Sequence, residues 1–278
     1  MSQKKLSISM NTMGTLTKRE LASSLRGWGI YIAVFVSFLI SSWMLNSHLN
    51  TLKENTIMIT SYPLETPLSW SVIIVSLYLV FISAISISRE REQGTLEVLW
   101  YGPVSSFSYL LGKYFKDIIL YLIVLVLFGI YFWVVSTITN LGFTIDLAKA
   151  FLVSIFVVSC FISFGLFISS LATRVRSSVI WLVGILLAFL ALWFASSILN
   201  VLPEESLSSS LIYLRGTLSL IFTLINWISP FSYLSRGMGS IPVGNNLIYT
   251  LNIVYSIIYS VILLSLSMFI LKRKGVKA

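Results

Sequence analysis

Charge is scarce in this sequence. Only 10% of its 278 residues are Asp, Glu, Lys or Arg, where an ordinary soluble domain carries about 25%. Mean hydropathy is +0.92. A chain so poor in charge is not a soluble globular protein, and lipid is the expected solvent for most of it. Cysteine is nearly absent too. The single one, Cys160, lies in an apolar run, so an intrachain disulfide is excluded, a metal site has no partners there, and apolar packing is its expected role. The single histidine, His48, falls in an expected outer loop, which leaves no material for Ser–His or His–metal chemistry within a membrane. A phosphate loop is also missing. Gly112-Lys113 is followed by Tyr114, and Phe107 stands where the first glycine of such a loop belongs. The chain itself is therefore read as non-enzymatic, with no cofactor or metal of its own.

What is present is six apolar runs, at Trp28–Leu45, Leu68–Ile87, Ile118–Ile138, Ala150–Leu171, Val179–Leu202 and Leu247–Leu271. Each approaches the roughly 20 helical residues that cross a bilayer core. Helices are required, because backbone polar groups cannot go unpaired in hydrocarbon. The runs are continuous, unlike the short alternating segments of an outer-membrane barrel. The expected fold is all-α, a polytopic membrane protein with six transmembrane helices in one domain over residues 1–278: a cytoplasmic tail and interfacial helix (1–27), a six-span core (28–271) and a second cytoplasmic tail (272–278). Leu16–Arg26 places Leu16, Leu21 and Leu25 near helical spacing among Lys18, Arg19 and Glu20. This pattern suits an amphipathic helix in the headgroup plane, and equally an ordinary basic flank.

Fifteen of the 19 Lys and Arg residues fall on the side of the chain that holds both termini. Acidic residues divide evenly, so the asymmetry belongs to the cations, and the positive-inside rule puts both termini in the cytoplasm. The net charge of +9 is explained by this topology rather than by nucleic acid. Trp28, Trp43, Trp70, Tyr114, Trp133 and Trp181 lie near run ends, as interfacial anchors do. No charged residue falls in the middle of a run, which speaks against an ion or proton path. Gly165 with Ser169, and Gly184 with Ala188, have the spacing of close helix contacts. Pro203 to Asn246 is too long for a simple connection. Its apolar part, Leu211–Ile228, is interrupted by Arg215 and Gly216, and a seventh span would place the cationic C-terminus outside. A re-entrant or interfacial outer hairpin before the last span is expected instead.

The charged stretch Ser88–Lys113 separates the second and third runs. Gly94 costs about 1 kcal/mol inside a helix, so the second span is expected to end near Glu92. A short helix over Thr95–Tyr101 would follow, with Leu96, Leu99 and Trp100 on one face. Gly102-Pro103 would end it, and Ser105 or Ser106 would cap the next helix. Such an element suits a groove on a soluble partner. It also suits a charged loop resting on headgroups.

At these residues the chain resembles a known family. Residues 90–113, EREQGTLEVLWYGPVSSFSYLLGK, and residues 229–237, SPFSYLSRG, are similar to signatures of ABC-2 type transporter permeases. The likeness is greatest to the branch that serves nitrous-oxide-reductase maturation and gliding motility. The resemblance implies a permease subunit of an ABC transporter, an exporter, in a prokaryotic inner membrane. It implies a cytoplasmic coupling helix between spans 2 and 3, in which Glu90, Glu92, Gly94, Thr95, Leu96, Glu97, Leu99 and Pro103 contact or shape the contact with a separate ATPase. It implies two such ATPase subunits carrying ATP and Mg, and a second permease copy or paralogue. Pro230, Arg236 and Gly237 would belong to the outer hairpin that lines or closes the exit. Trp100-Tyr101-Gly102 departs from the leucine and polar residues more usual there, which bears on which ATPase fits. A membrane assembly factor or scaffold that recruits a cytosolic partner through the same segment is the alternative from the residues themselves.

Overall fold

The computed structural model describes residues 2–55, 64–96, 105–139, 142–201 and 209–274. Among these there are nine helices and no strand: α1 (Ser2–Arg26), α2 (Trp28–Asn55), α3 (Glu65–Glu92), α4 (Ser106–Thr139), α5 (Ile145–Leu171), α6 (Val175–Val201), α7 (Ser209–Ile228), α8 (Pro230–Gly239) and α9 (Asn246–Lys274). Six are long and apolar enough to cross a membrane: α2, α3, α4, α5, α6 and α9. They coincide with the six apolar runs.

Helix α5 is the centre. In its most apolar stretch 72% of residues are buried, against 11% in α6. A helix that is apolar all round can be buried on every side, and α5 packs on α3, α4, α6, α8 and α9. Its closest neighbour is α3. A Cβ at Gly165 would stand 2.6 Å from the Val80 carbonyl oxygen and 2.8 Å from Ser83 Cβ, so only glycine permits this approach. One turn on, Ser169 Oγ accepts from the N–H groups of Ile87 and Ser88, both at 3.0 Å. Small residues with cross-helix hydroxyl bonds are how helices pack where lipid supplies no hydrophobic drive. Gly184 has nothing within 4 Å of an added Cβ, so the second small-residue pair makes no such contact. Phe35, Trp133, Ile180, Leu187 and Val261 on the outer helices are all more than half exposed, which in a bilayer is contact with acyl chains.

Helix α4 begins at Ser106, and Ser105 caps it as the sequence suggested, accepting from the Ser108 N–H at 3.1 Å. The apolar run from Ile118 is only its later part. Lys113, Lys116 and Asp117 therefore lie inside a helix, and all three are buried. Asp117 accepts from Ser83 Oγ at 2.8 Å and sits 2.9 Å from Lys116 Nζ. Cys160 is a buried packing residue bonded to the Phe156 and Ser256 carbonyls. Tyr114 is not simply an anchor, because its hydroxyl meets Ser159 Oγ at 2.6 Å. The side chain of His48 lies outside the described residues.

Candidate functional site

The spans alternate in direction, so the starts of α2, α4 and α6 and the ends of α3, α5 and α9 share one end of the bundle. That end carries Lys18, Arg19, Arg26, Arg89, Arg91, Lys113, Arg174 and Arg176 and is called here the basic end. Its focus is the last turn of α3. With 3.6 residues per turn, three successive side chains leave a helix in three directions, and Glu90, Arg91 and Glu92 each reach a different helix.

Glu90 faces α4. Its Oε1 accepts from Lys113 Nζ at 2.7 Å, and its Oε2 accepts from the Tyr109 hydroxyl at 2.5 Å. Lys113 also lies 3.0 Å from Glu20 Oε1 on α1 and over the Tyr109 ring, 5.1 Å from its centroid. The lysine is only 3% exposed and its two carboxylates 17% and 19%. Burying an ammonium is costly unless charge and hydrogen bonds surround it, and two carboxylates and the face of a tyrosine ring do so here. Helix α1 is fixed nearby, where Thr17 Oγ1 donates to the Gly112 carbonyl at 3.2 Å.

Arg91 faces α5. Its Nη1 donates to the carbonyls of Ser170, at 3.2 Å, and Ala172, at 2.5 Å. Carbonyls at a helix C-terminus lack intrahelical donors, and a cation is favoured there. Glu92 faces α6, accepting from the N–H of Val175, its first residue, at 2.9 Å. A carboxylate at a helix N-terminus is the complementary arrangement.

Beyond Glu92 the helix stops as the sequence indicated. Gln93 N–H donates to the Arg89 carbonyl, and Gly94 adopts φ +70 and donates to the Arg91 carbonyl. This is the left-handed termination that glycine allows. Thr95 Oγ1 donates to the Glu90 carbonyl at 3.1 Å. Thr95 and Leu96 are helical again, and Leu96 is buried at 5% exposure in the main core. Glu97, Leu99 and Pro103 lie outside the described residues. The structure thus brings Glu90, Glu92, Gly94, Thr95 and Leu96 together as the root of the segment. Within it the carboxylates of Glu90 and Glu92 are engaged by this chain. Sequence reasoning missed Lys113, Arg91, Tyr109 and Glu20 as members of the site. A lysine inside an apolar helix needs partners, and that was the available signal.

The far end carries the other predicted residues. Helices α7 and α8 are bent by 87° about Ser229, with Pro230 at the first turn of α8, where its missing N–H costs nothing. Arg236 Nη2 donates to the Asn226 carbonyl at 2.8 Å and Nε to the Ser232 carbonyl at 3.2 Å. Its guanidinium lies over the rings of Trp227 and Tyr233, 5.1 and 5.0 Å from their centroids. Gly237 admits Asn252 of α9, whose Nδ2 would stand 2.5 Å from an added Cβ and donates to the Tyr233 carbonyl at 3.1 Å. Pro230, Arg236 and Gly237 are therefore brought together as the brace of a bent helix pair.

The ABC-2 family transporter protein family matches residues 14–276, nearly the whole chain. No curated protein gives a significant match. The match spans the root at α3, all six crossing helices and the bent pair, so the chain belongs to the ABC-2 family of transporter proteins, as a multi-pass membrane permease component that works with ABC ATPase partners.

Proposed function

We propose that residues 88–104 dock a separate ATPase subunit and that the last turn of α3 converts its motion into motion of the spans. The observation that carries this is the threefold grip. Glu90, Arg91 and Glu92 tie one helix end to α4, α5 and α6, and Lys113 extends the tie to α1. A push applied beyond Gly94 is then delivered to several helices at once, as a rigid-body transition requires. Two ATPase subunits hold ATP and Mg and draw together on nucleotide. Two permease chains, a second copy or a paralogue, frame the path between them. The chain acts as one transmembrane domain of a prokaryotic inner membrane. The cation bias puts the basic end and both termini in the cytoplasm. Export follows by family analogy, and spans without a charge at mid-bilayer suit a bulky or amphiphilic cargo.

Glu97→Arg tests the docking. It lies beyond the root, so insertion and detergent stability stay unchanged, while co-purified ATPase subunit and cargo-stimulated hydrolysis in vesicles fall at least roughly tenfold, the cost of one like-charge contact at an interface. Leu96→Asp is a poorer test, because Leu96 is a core residue and its loss reads folding. Normal recovery and hydrolysis in Glu97→Arg would favour a scaffold whose partner binds elsewhere.

A further inference from the structure

Helix α1 carries one acidic residue, Glu20, and five basic ones, Lys4, Lys5, Lys18, Arg19 and Arg26. Its faces divide at helical spacing. Leu16, Thr17, Glu20, Leu21 and Leu25 turn toward the protein, and Leu21 and Leu25 pack on the core. Lys18, Arg19, Ala22, Ser23 and Arg26 are exposed. The apolar stripe is therefore occupied by α4 and its neighbours rather than by lipid. The one carboxylate is turned inward to Lys113, and the outward face keeps only cations. The helix ends at the membrane surface: the Tyr31 hydroxyl of α2 donates to the Leu25 carbonyl at 2.8 Å, and Trp28, two residues beyond Arg26, is 82% exposed. An exposed tryptophan at the start of a span marks headgroup height, which places Arg26 there too.

We propose that the outward face of α1 binds anionic headgroups of the adjoining leaflet, and that Lys113, shared by Glu20 and Glu90, links this binding to the position of the docking segment. Headgroups are the occupant because a juxtamembrane basic stripe at that height meets the negative surface potential of the leaflet. The link is mechanical and electrostatic. Displacing the end of α3 moves Glu90. Lys113 then either draws Glu20 and α1 along, or leaves one partly buried carboxylate without its countercharge, which is disfavoured. Two bindings that share such an element affect each other reciprocally. Anionic lipid biases the docking segment, and nucleotide on the ATPase alters the contact of α1 with lipid. The second half rests on the docking function proposed above, and the first half does not.

The test uses the full chain with an environment-sensitive fluorophore on Ser23→Cys, alone and with its ATPase subunits, in phosphatidylcholine vesicles with or without phosphatidylglycerol. Phosphatidylglycerol is expected to shift the probe emission in the permease alone, and added salt to reverse the shift. Replacing Lys18, Arg19 and Arg26 together by Gln is expected to abolish the phosphatidylglycerol-dependent shift, since each cation near the surface adds to the attraction. In the complex, phosphatidylglycerol is expected to change the ATPase rate several-fold, and Glu20→Gln to keep the probe response while abolishing that change. An emission indifferent to phosphatidylglycerol overturns headgroup binding, and a shift seen only when ATPase subunits are added would assign the face to them. A lipid-dependent rate that survives Glu20→Gln overturns the link. Failure of any ATPase to associate sinks the docking function, while the probe in the permease alone still decides the headgroup binding.

Discussion

The two ends of the bundle each organise their backbone around a cation, buried at one end and half-buried at the other, by different means. At the basic end Lys113 is held by carboxylates from two other helices, at 3.0 and 2.7 Å. Its partners lie 93 and 23 residues away in sequence. At the far end Arg236 meets no carboxylate among the described residues. It is held by carbonyls four and ten residues away and by two aromatic rings. The first arrangement joins separate helices, so it responds when any of them moves. The second is local, so it fixes the shape of one bent pair and travels with it. A joint that transmits motion needs the former, and a formed plug or lip needs the latter.

The largest expected effect comes from cutting the long-range cation. Lys113→Met keeps the volume and leaves the partly buried Glu20 and Glu90 facing each other without a countercharge, a loss of about 3 kcal/mol, at the low end for breaking a buried pair because both carboxylates keep some contact with solvent. Thermal unfolding in detergent, followed by size-exclusion recovery, measures it. Lys113→Arg is expected to restore most of the loss, since charge and reach are kept. If Lys113→Met proves neutral, the shared-lysine joint does not exist. Arg236→Gln should cost less, about 1.5–3 kcal/mol for hydrogen bonds made by a charged group. Its signature is confined to the far end: a cysteine placed at Ser240, 5% exposed, becomes reactive to a polar maleimide while one at Ser106 at the basic end stays as it was. Equal changes at both ends would erase the distinction between a local and a distributed cation.

Much of the architecture was legible in the sequence because bilayer length and hydropathy are properties of single segments. The six runs, the stop at Gly94 and the serine cap before α4 are all local signals. Partners are not. The third apolar run begins at Ile118, so Lys113, Lys116 and Asp117, between the cap and the run, read only as a flank. Lys116 pairs with its neighbour Asp117, but Lys113 is matched by Glu20 and Glu90 and Asp117 accepts from Ser83, all on other helices, and the local pattern does not name those partners. Gly165 and Gly184 looked alike by spacing. One meets the Val80 carbonyl, and the other meets open space, because rotation about the helix axis is set by packing that hydropathy does not record. Arg236 carried the reverse lesson. Its place in the hairpin was readable, but its engagement by its own carbonyls depends on the bend at Ser229.

The smallest expected effect tests whether the three contacts of the root are equal. Glu92 is exposed, and its single bond is to Val175 N–H at the start of α6. Glu92→Gln keeps an acceptor and removes only the charge that favours a helix N-terminus, about 0.3–1 kcal/mol at an exposed site. Stability should therefore barely change, and raised salt should narrow the gap further, since screening weakens exposed charges more than buried ones. Lys113→Met should show no such salt dependence. If Glu92→Gln instead matches Lys113→Met in size and ignores salt, the tie between α3 and α6 is as strongly enclosed as the tie to α4, and the basic end moves as one block instead of turning about a buried lysine.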